Sequence, residues 1–187
     1  MKLLNTYFPE VKIITPQIYN DERGMFFESY NLEKFNNLIN LDIQFVQDNH
    51  SLTSFGVLRG LHYQIERPQG KLIRVVKGKI YDVVVDLRLD SPTFGDYMGI
   101  EISADSGQQL WVPVGFAHGF YVLSDTAEVL YKMTDYWFPN HERCLLWSDT
   151  DIGIKWPFRG SPIQSKKDSL GSKFSNCDYF VCRDRGL

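Results

Sequence analysis

The sequence predicts one all-β domain, closed as a sandwich or a barrel and carrying a few short helices. Short runs rich in β-branched and aromatic residues follow one another along the chain, each bounded by turn-forming residues. A hydrophobic content of 43% over 187 residues is ample for one large core. No repeat or Pro/Ser-rich linker divides the chain. We therefore expect a single domain over residues 1–187.

The elements follow from local patterns. Leu32, Phe35, Leu38 and Ile39 fall on one helical face after Asn31, a good N-cap residue, and predict a short helix. Alternating or continuous apolar runs then predict eight strands, over residues 44–51, 57–64, 71–76, 79–87, 97–102, 109–112, 119–123 and 127–136. A jelly roll closes such a set and leaves a cavity between its two sheets.

Two further features concern connections. Residues 75–80, with Gly78 at the centre, predict two strands joined by a tight hairpin. From Gly171 onwards the apolar periodicity is lost, which predicts a loose C-terminal tail over residues 171–187.

Charge and cysteine content narrow the class of protein. The formal net charge of -3, with acidic and basic residues intermixed, provides no basic stripe, so we expect no nucleic-acid partner. The first residues are broken by polar side chains, and we expect neither a signal peptide nor a membrane partner. Cys144, Cys177 and Cys182 are an odd number and favour a reducing compartment, so we expect a cytoplasmic protein.

Strand alternation indicates which polar residues face a cavity. Gln47 and Asn49 project on one side of their strand, where two amides suit a hydroxylated or phosphorylated ligand. A solvated edge strand explains them equally well.

Arg59 and His62 are three positions apart, and strict alternation places them on opposite faces. A bulge at Gly60 would turn both towards one cavity, although a lone strand histidine is more often structural.

Three later side chains strengthen a functional interpretation. Lys71 shares its face with apolar strand residues, so its ammonium points inwards and needs an anionic partner. His118 follows a Pro/Gly turn, a common place for functional residues. Tyr131 alternates with apolar residues and points into the same core, where a tyrosine bound to a carbonyl is the ordinary alternative. Asp168, by composition alone, is an ordinary surface charge.

A metal site is not expected. Metal centres on jelly-roll strands use two histidines one residue apart with a carboxylate and a third histidine. His62 is instead followed by Tyr63 and Gln64, so the paired ligand is missing.

Together these segments resemble the ordered motifs of the dTDP-4-dehydrorhamnose 3,5-epimerase family. The resemblance covers roughly residues 1–170 and is carried by Arg23-Gly24-Met25-Phe26-Phe27-Glu28, Gln47-Asp48-Asn49, and residues 56–64, 69–75, 113–120, 131–134 and 165–168. It implies a cupin-type double-stranded β-helix (jelly roll), a homodimer, and no metal or cofactor. It also implies inversion of carbons 3 and 5 of dTDP-4-dehydro-6-deoxy-D-glucose, a dTDP-linked 4-keto-6-deoxy sugar, in dTDP-L-rhamnose biosynthesis.

The resemblance also implies roles for particular residues. His62 would be the base, oriented by Asp168, Tyr131 the acid on the opposite face, and Lys71 the cation that stabilises the enolate. Trp137 stands where the family stacks an aromatic ring on thymine. The implied substrate-binding residues are Arg23, Glu28, Gln47, Asp48, Asn49, Arg59, His118, Trp137, Glu142 and Lys167.

Three alternatives stay open at this stage. One is a mono-epimerase that inverts carbon 3 or carbon 5 alone on a related nucleotide-linked keto sugar. Another is a cupin that binds a sugar nucleotide without catalysing a reaction on it. The third is a metal-dependent cupin oxygenase, which fits least well because the paired histidine ligand of a cupin metal site is missing.

Overall fold

The computed structural model describes residues 1–181. These residues form thirteen strands and two α-helices, joined by loops and three short 3₁₀ turns. The strands and helices are β1 (Lys2–Asn5), β2 (Lys12–Thr15), β3 (Tyr19–Asp21), β4 (Gly24–Phe26), α1 (Leu32–Ile39), β5 (Gln47–Ser54), β6 (Leu58–Gln64), β7 (Lys71–Lys77), β8 (Lys79–Asp86), β9 (Tyr97–Ser103), β10 (Gln109–Val112), β11 (Phe116–Val122), β12 (Thr126–Met133), β13 (Glu142–Cys144) and α2 (Lys166–Ser169).

Two antiparallel sheets pack face to face. The six-stranded sheet has the order β1-β2-β10-β7-β12-β5, and the five-stranded sheet has the order β13-β6-β11-β8-β9. Strands β3 and β4 form a separate two-stranded ribbon. The predicted all-β class and jelly-roll architecture are confirmed.

All eight predicted strands are present, with bounds displaced by up to three residues. The remaining strands, β1 to β4 and β13, were not predicted. They have only three or four residues each, which is too short for alternation to be visible in the sequence.

The predicted helix is confirmed as α1. The Asn31 side chain accepts a hydrogen bond from the backbone N–H of Lys34 at 3.0 Å, and Asn40 ends the helix in the left-handed conformation. Phe35 is the buried residue of this helix, and its ring packs edge-on against Trp111. The helix therefore covers the outer face of the six-stranded sheet.

The predicted hairpin at Gly78 is wrong. The chain does turn there, but β7 pairs with β10 and β12, whereas β8 pairs with β9 and β11 in the other sheet. Gly78 has a φ of +75°, and a β-carbon at this position would overlap the carbonyl oxygen of Thr126. Gly78 thus permits a sharp turn in which the chain passes from one sheet to the other. The local sequence cannot distinguish such a turn from a hairpin.

The core lies on both faces of the five-stranded sheet. Ile80 and Val84 of β8 face the six-stranded sheet, while Val83 and Val85 face an outer cluster. A strand buried on both faces reads as a continuous apolar run, as the sequence of β8 does.

The bulge predicted at Gly60 is confirmed. In the β6–β11 pair, His62 stands opposite His118 and Arg59 stands opposite Phe120, so β6 carries one extra residue. Gly60, with a φ of +108°, occupies this irregularity and approaches the backbone of β11 closely. The extra residue places Arg59 and His62 on the same face.

The predicted loose tail is wrong for the part of it that the structure describes. Cys177 and Phe180 are buried in the outer cluster, and the Phe180 backbone bonds to Leu87 and Leu89. Residues 171–181 therefore pack on the five-stranded sheet, held by a few well-spaced apolar side chains that show no periodicity. Residues 182–187, which include Cys182, lie outside the described residues.

Within residues 1–181, none of the helices has the length and apolar character needed to cross a membrane.

We predict that Phe180→Ala lowers the free energy of unfolding by about 3 kcal/mol, because it empties a buried aromatic site. The neighbouring Val181→Ala variant is the control, since Val181 is 47% exposed and its truncation should cost less than about 0.5 kcal/mol. Urea denaturation of both variants measures the difference. Two equally small effects would mean that the C-terminal segment does not contribute to the core.

Candidate active site

A cavity of about 230 Å³ opens between the two sheets. Its walls come from β5, β7 and β12 on one side and from β6 and β11 on the other. It is lined by eight of the residues singled out from the sequence, namely Asn49, Arg59, His62, Lys71, His118, Tyr131, Trp137 and Glu142.

His62 and Asp168 form a hydrogen-bonded pair at this cavity. The His62 Nε2 atom lies 2.6 Å from Asp168 Oδ1, although the two residues are 106 positions apart. Asp168 belongs to α2, where its backbone N–H donates to the capping Ser165 side chain at 3.1 Å. Its other carboxylate oxygen accepts from the backbone N–H of Gly60 at 3.4 Å.

The pair fixes the tautomer of the neutral imidazole. Burial raises the pKa of Asp168, but hydrogen bonding and the charge of His62 outweigh it, so the net pKa lies below the ordinary value. An ionised carboxylate only accepts hydrogen bonds, so His62 donates from Nε2 and keeps a lone pair on Nδ1. The geometry therefore makes His62 a proton acceptor through Nδ1.

Lys71 supplies a positive charge that is largely desolvated. Its face is shared with the core residues Ile73 and Val75, as alternation predicted. Its ammonium donates to the backbone carbonyl of His62 at 2.9 Å. Burial lowers the pKa of Lys71 to about 8, while the negative charges of Asp82 and Glu142 oppose this shift.

A second imidazole–carboxylate pair lies beside the first. His118 Nε2 is 2.9 Å and 3.0 Å from the two carboxylate oxygens of Asp82, and both side chains are buried. Burial lowers the pKa of His118, and Asp82 opposes this shift. Asp82 was not predicted. The sequence did offer a sign of its importance, because a carboxylate within the apolar run of β8 needs a hydrogen-bonding or charged partner.

Tyr131 lies on the opposite wall. It alternates with the core residue Val129 and with Met133, as predicted, and its hydroxyl is 3.4 Å from Ser51 Oγ. Burial raises the pKa of the phenol, so Tyr131 is protonated at neutral pH and is able to act as a proton donor.

Several polar residues form the rim. Trp137 is 54% exposed and donates from its indole to Glu142 at 3.0 Å, while Glu142 also pairs with Lys167. Gln47 accepts from the Trp137 backbone at 2.9 Å and donates to Asn49 at 3.0 Å. Gln47 and Lys167 therefore brace residues that line the cavity.

Arg59 is exposed and lies on the face that the bulge creates. Its Nε atom donates to Thr53 Oγ1 at 3.0 Å, and the guanidinium lines the cavity.

Five of the predicted binding residues are not among those that line this cavity: Gln47 and Lys167, which brace its rim, and Arg23, Glu28 and Asp48, which lie away from it. Arg23 is highly exposed and pairs with Asp21, and Glu28 pairs with Lys34. Asp48 faces the outer side of its sheet. There it pairs with Lys132 at 3.1 Å.

Cys144 is a second side chain that sequence reasoning did not place here. Its sulfur, the His62 imidazole and an Asp168 oxygen all lie within 4.8 Å of one another. Burial, followed by the negative charge of Asp168, raises the pKa of the thiol to about 12. The sequence offers no signal for this contact, because it depends on the register of β13 against β6.

Comparison with known proteins decides the family. The family model described as dTDP-4-dehydrorhamnose 3,5-epimerase matches residues 5–176. A curated protein of that name from Pseudomonas aeruginosa is 50% identical over 180 residues, covering 96% of this chain and 99% of its own length. The chain belongs to the dTDP-4-dehydrorhamnose 3,5-epimerase family. It is accordingly an isomerase of the epimerase class.

Solved structures of epimerases share the fold. A dTDP-6-deoxy-D-glucose-3,5-epimerase from Legionella pneumophila in complex with dTDP-4-keto-L-rhamnose is 45% identical, with a TM-score of 0.92. The match covers 95% of this chain and 94% of that one. A 3'-monoepimerase from Streptomyces bikiniensis in complex with dTDP-quinovose is 30% identical, with a TM-score of 0.86 and coverage of 91% and 87%.

We predict that the Lys71 side chain titrates near pH 8, against an ordinary value of 10.5. NMR of lysine labelled at Cε with carbon-13 measures this pKa. Asp82→Asn should lower it further, because Asp82 stabilises the ammonium. Glu101→Gln removes a 58% exposed carboxylate and should leave the pKa of Lys71 unchanged. Titration of Lys71 at its ordinary value would contradict its burial in the folded chain.

Proposed function

We propose that the chain inverts carbons 3 and 5 of dTDP-4-dehydro-6-deoxy-D-glucose by proton abstraction and reprotonation, in dTDP-L-rhamnose biosynthesis. One observation carries the proposed mechanism. His62 and Tyr131 face the same cavity from different sheets, on β6 and β12 respectively. Inversion requires a base and an acid on opposite sides of a planar enolate, and the two walls provide them.

The reaction begins at His62. Its Nδ1 atom takes the proton from the carbon next to the ketone, and the electron pair of the broken C–H bond moves to the ketone oxygen. Asp168 stabilises the imidazolium that forms, as the buried carboxylate does in other histidine–aspartate pairs. The imidazolium then returns its proton to solvent.

Lys71 stabilises the negative charge that develops on the enolate oxygen. A fixed cation in a site with little water is effective for this purpose because it needs no reorganisation during the reaction. Since the ammonium loses its proton above a pKa of about 8, activity should decline as the pH rises through that value.

Tyr131 completes inversion at carbon 5 by donating its phenolic proton from the opposite face, and the enolate at carbon 3 takes its proton from solvent on that same face. The phenolate then recovers a proton from solvent. The raised pKa of the phenol keeps it protonated before the step and makes the phenolate a short-lived species.

The remaining polar groups bind the nucleotide and the sugar. Arg59 offers a planar fork that matches phosphate oxygens, and the exposed indole of Trp137 stacks on the thymine ring. Asn49 and His118 contact the sugar, while Gln47, Glu142 and Lys167 hold the rim in place.

Two observations favour the double epimerase over a mono-epimerase. Tyr131, the acid for carbon 5, is present in the cavity. Identity is 45% to the 3,5-epimerase from Legionella pneumophila but 30% to the 3'-monoepimerase. We further propose that the protein works in the cytoplasm, as the free thiols of Cys144 and Cys177 favour.

Arg23 and Glu28 lie away from the cavity of their own chain. A homodimer explains how they are able to bind substrate, because they would reach the cavity of the second copy. Both belong to the segment around the β3–β4 ribbon, whose apolar side chains are exposed: Tyr19 by 63%, Met25 by 59% and Phe26 by 76%. Exposed apolar groups of this kind mark interaction surfaces. We propose that the ribbon packs on a second copy and brings Arg23 and Glu28 to that copy's cavity.

Proton NMR in heavy water tests the reaction. With dTDP-4-dehydro-6-deoxy-D-glucose and a chelator present, we expect deuterium to enter at carbons 3 and 5. His62→Ala should slow exchange at both carbons by at least roughly 10²-fold, whereas His141→Ala, outside the cavity, should not. Tyr131→Phe should impair inversion at carbon 5 more than proton loss.

Each alternative has its own signature in this assay. Exchange at one carbon alone selects a mono-epimerase, and its absence despite dTDP binding selects a binding protein. Activity that the chelator abolishes and iron restores selects a metal enzyme. Rapid exchange in His62→Ala would show that another group is the base.

Mixing two inactive variants tests the dimer. If Arg23 serves the partner's cavity, an equal mixture of His62→Ala and Arg23→Ala chains regains activity. Roughly a quarter is expected, since half of randomly mixed dimers are heterodimers, each with one complete site. Sedimentation equilibrium measures the dimer directly. A mixture as inactive as its components, or a monomer at assay concentration, would contradict this arrangement.

A further inference from the structure

His62, Asp168 and Cys144 meet at one point beside the cavity. In the antiparallel β6–β13 pair, Cys144 stands directly opposite His62, so the two side chains share a face. Helix α2 brings Asp168 against them, and the three ligand atoms lie within 4.8 Å of one another. Three different elements therefore converge on an imidazole nitrogen, a thiol sulfur and a carboxylate oxygen.

These atoms match the ligands of zinc. Zinc binds nitrogen at roughly 2.0–2.1 Å and sulfur at roughly 2.3 Å in a tetrahedron, which separates its ligand atoms by about 3.5 Å. The 2.6 Å His62–Asp168 contact would open by about 0.9 Å, and a pair at the 4.8 Å limit would contract by about 1.3 Å.

We propose that His62, Cys144 and Asp168 form an inhibitory site for a soft divalent cation, with Zn²⁺ as its ligand. The cation takes the place of the proton between His62 Nε2 and Asp168, and Cys144 releases its thiol proton to solvent. This site is separate from the proposed reaction, none of whose steps involves a metal.

Inhibition follows from the tautomer. A neutral imidazole that binds a metal through Nε2 carries its proton on Nδ1. Nδ1 then has no lone pair for the carbon-bound proton of the substrate. This consequence rests on the proposed role of His62 as the base, whereas binding of the cation does not.

Electrostatics around the thiol favour a cation. Burial, followed by the negative charge of Asp168, raises the pKa of the Cys144 thiol in the metal-free chain; Lys167 opposes this shift and Glu142 adds to it. A divalent cation between the sulfur and these carboxylates reverses their effect, because it makes neighbouring negative charge favourable.

Cys144 offers a clean test, because it has no part in the proposed reaction. In the exchange assay without chelator, Zn²⁺ should inhibit the wild-type chain, and adding a chelator should restore activity. Cys144→Ser should keep its activity and need at least about tenfold more Zn²⁺ for half inhibition, since even outer-shell changes cost roughly 10–100-fold in metal affinity. Cys177→Ala removes a free thiol from the outer cluster and should behave like the wild type. Equal zinc sensitivity of Cys144→Ser and wild type would overturn the proposal.

Co²⁺ gives a readout that does not depend on catalysis. Thiolate–cobalt bonding produces charge-transfer absorption in the near ultraviolet, which should appear in the wild type and in Cys177→Ala but not in Cys144→Ser. Its absence from the wild type would overturn the site even if zinc inhibits by another route. Should Cys144→Ser not fold, alkylation of the wild-type chain decides: Zn²⁺ should protect Cys144, and unchanged labelling of Cys144 would overturn the site.

Discussion

The cavity depends on two imidazole–carboxylate hydrogen bonds that lie side by side on neighbouring strands. His62 and His118 stand opposite each other in the β6–β11 pair, and they donate to Asp168 and Asp82 respectively. A buried carboxylate is costly without donors, so each pair holds its histidine in one orientation. The pairs differ in exposure, with 30% of the His62 side chain accessible against 5% of His118. The same chemical unit therefore provides the proposed base in one position and a fixed part of the wall in the other.

Much of this arrangement is local and was predicted from the sequence. Period-two alternation identified the strands and correctly directed Lys71 and Tyr131 inwards, because side chains on a strand have only two faces to choose from. The glycine between Arg59 and His62 predicted the bulge that brings them to one face. A pattern of this kind is reliable where a single strand and its immediate irregularities determine the outcome.

What the sequence did not predict depends on contacts between distant segments. Local residues could not show that the turn at Gly78 crosses between sheets, because strand pairing is decided by the rest of the sheet. Asp168 was assigned only through the family resemblance, and Asp82 and Cys144 were missed. Each of these three side chains gains its importance from a partner on another element. The packing of Phe180 was missed for a similar reason, since one well-placed aromatic side chain produces no periodicity.

The C-terminal segment and the His62–Asp168 pair are parts of one arrangement. Helix α2 has four residues, far fewer than a helix needs to hold itself in water, so its position must come from its flanks. Before it, Ile163 exchanges backbone hydrogen bonds with residues at the start of β6, and after it Ser172 does the same with β13. The chain then continues to the buried side chains of Cys177 and Phe180. Because the carboxylate of Asp168 lies between these two attachments, a chain that packs loosely beyond residue 171 would leave His62 without a fixed partner. The C-terminal packing therefore positions the His62–Asp168 pair, the proposed base and its partner, and also contributes to the core.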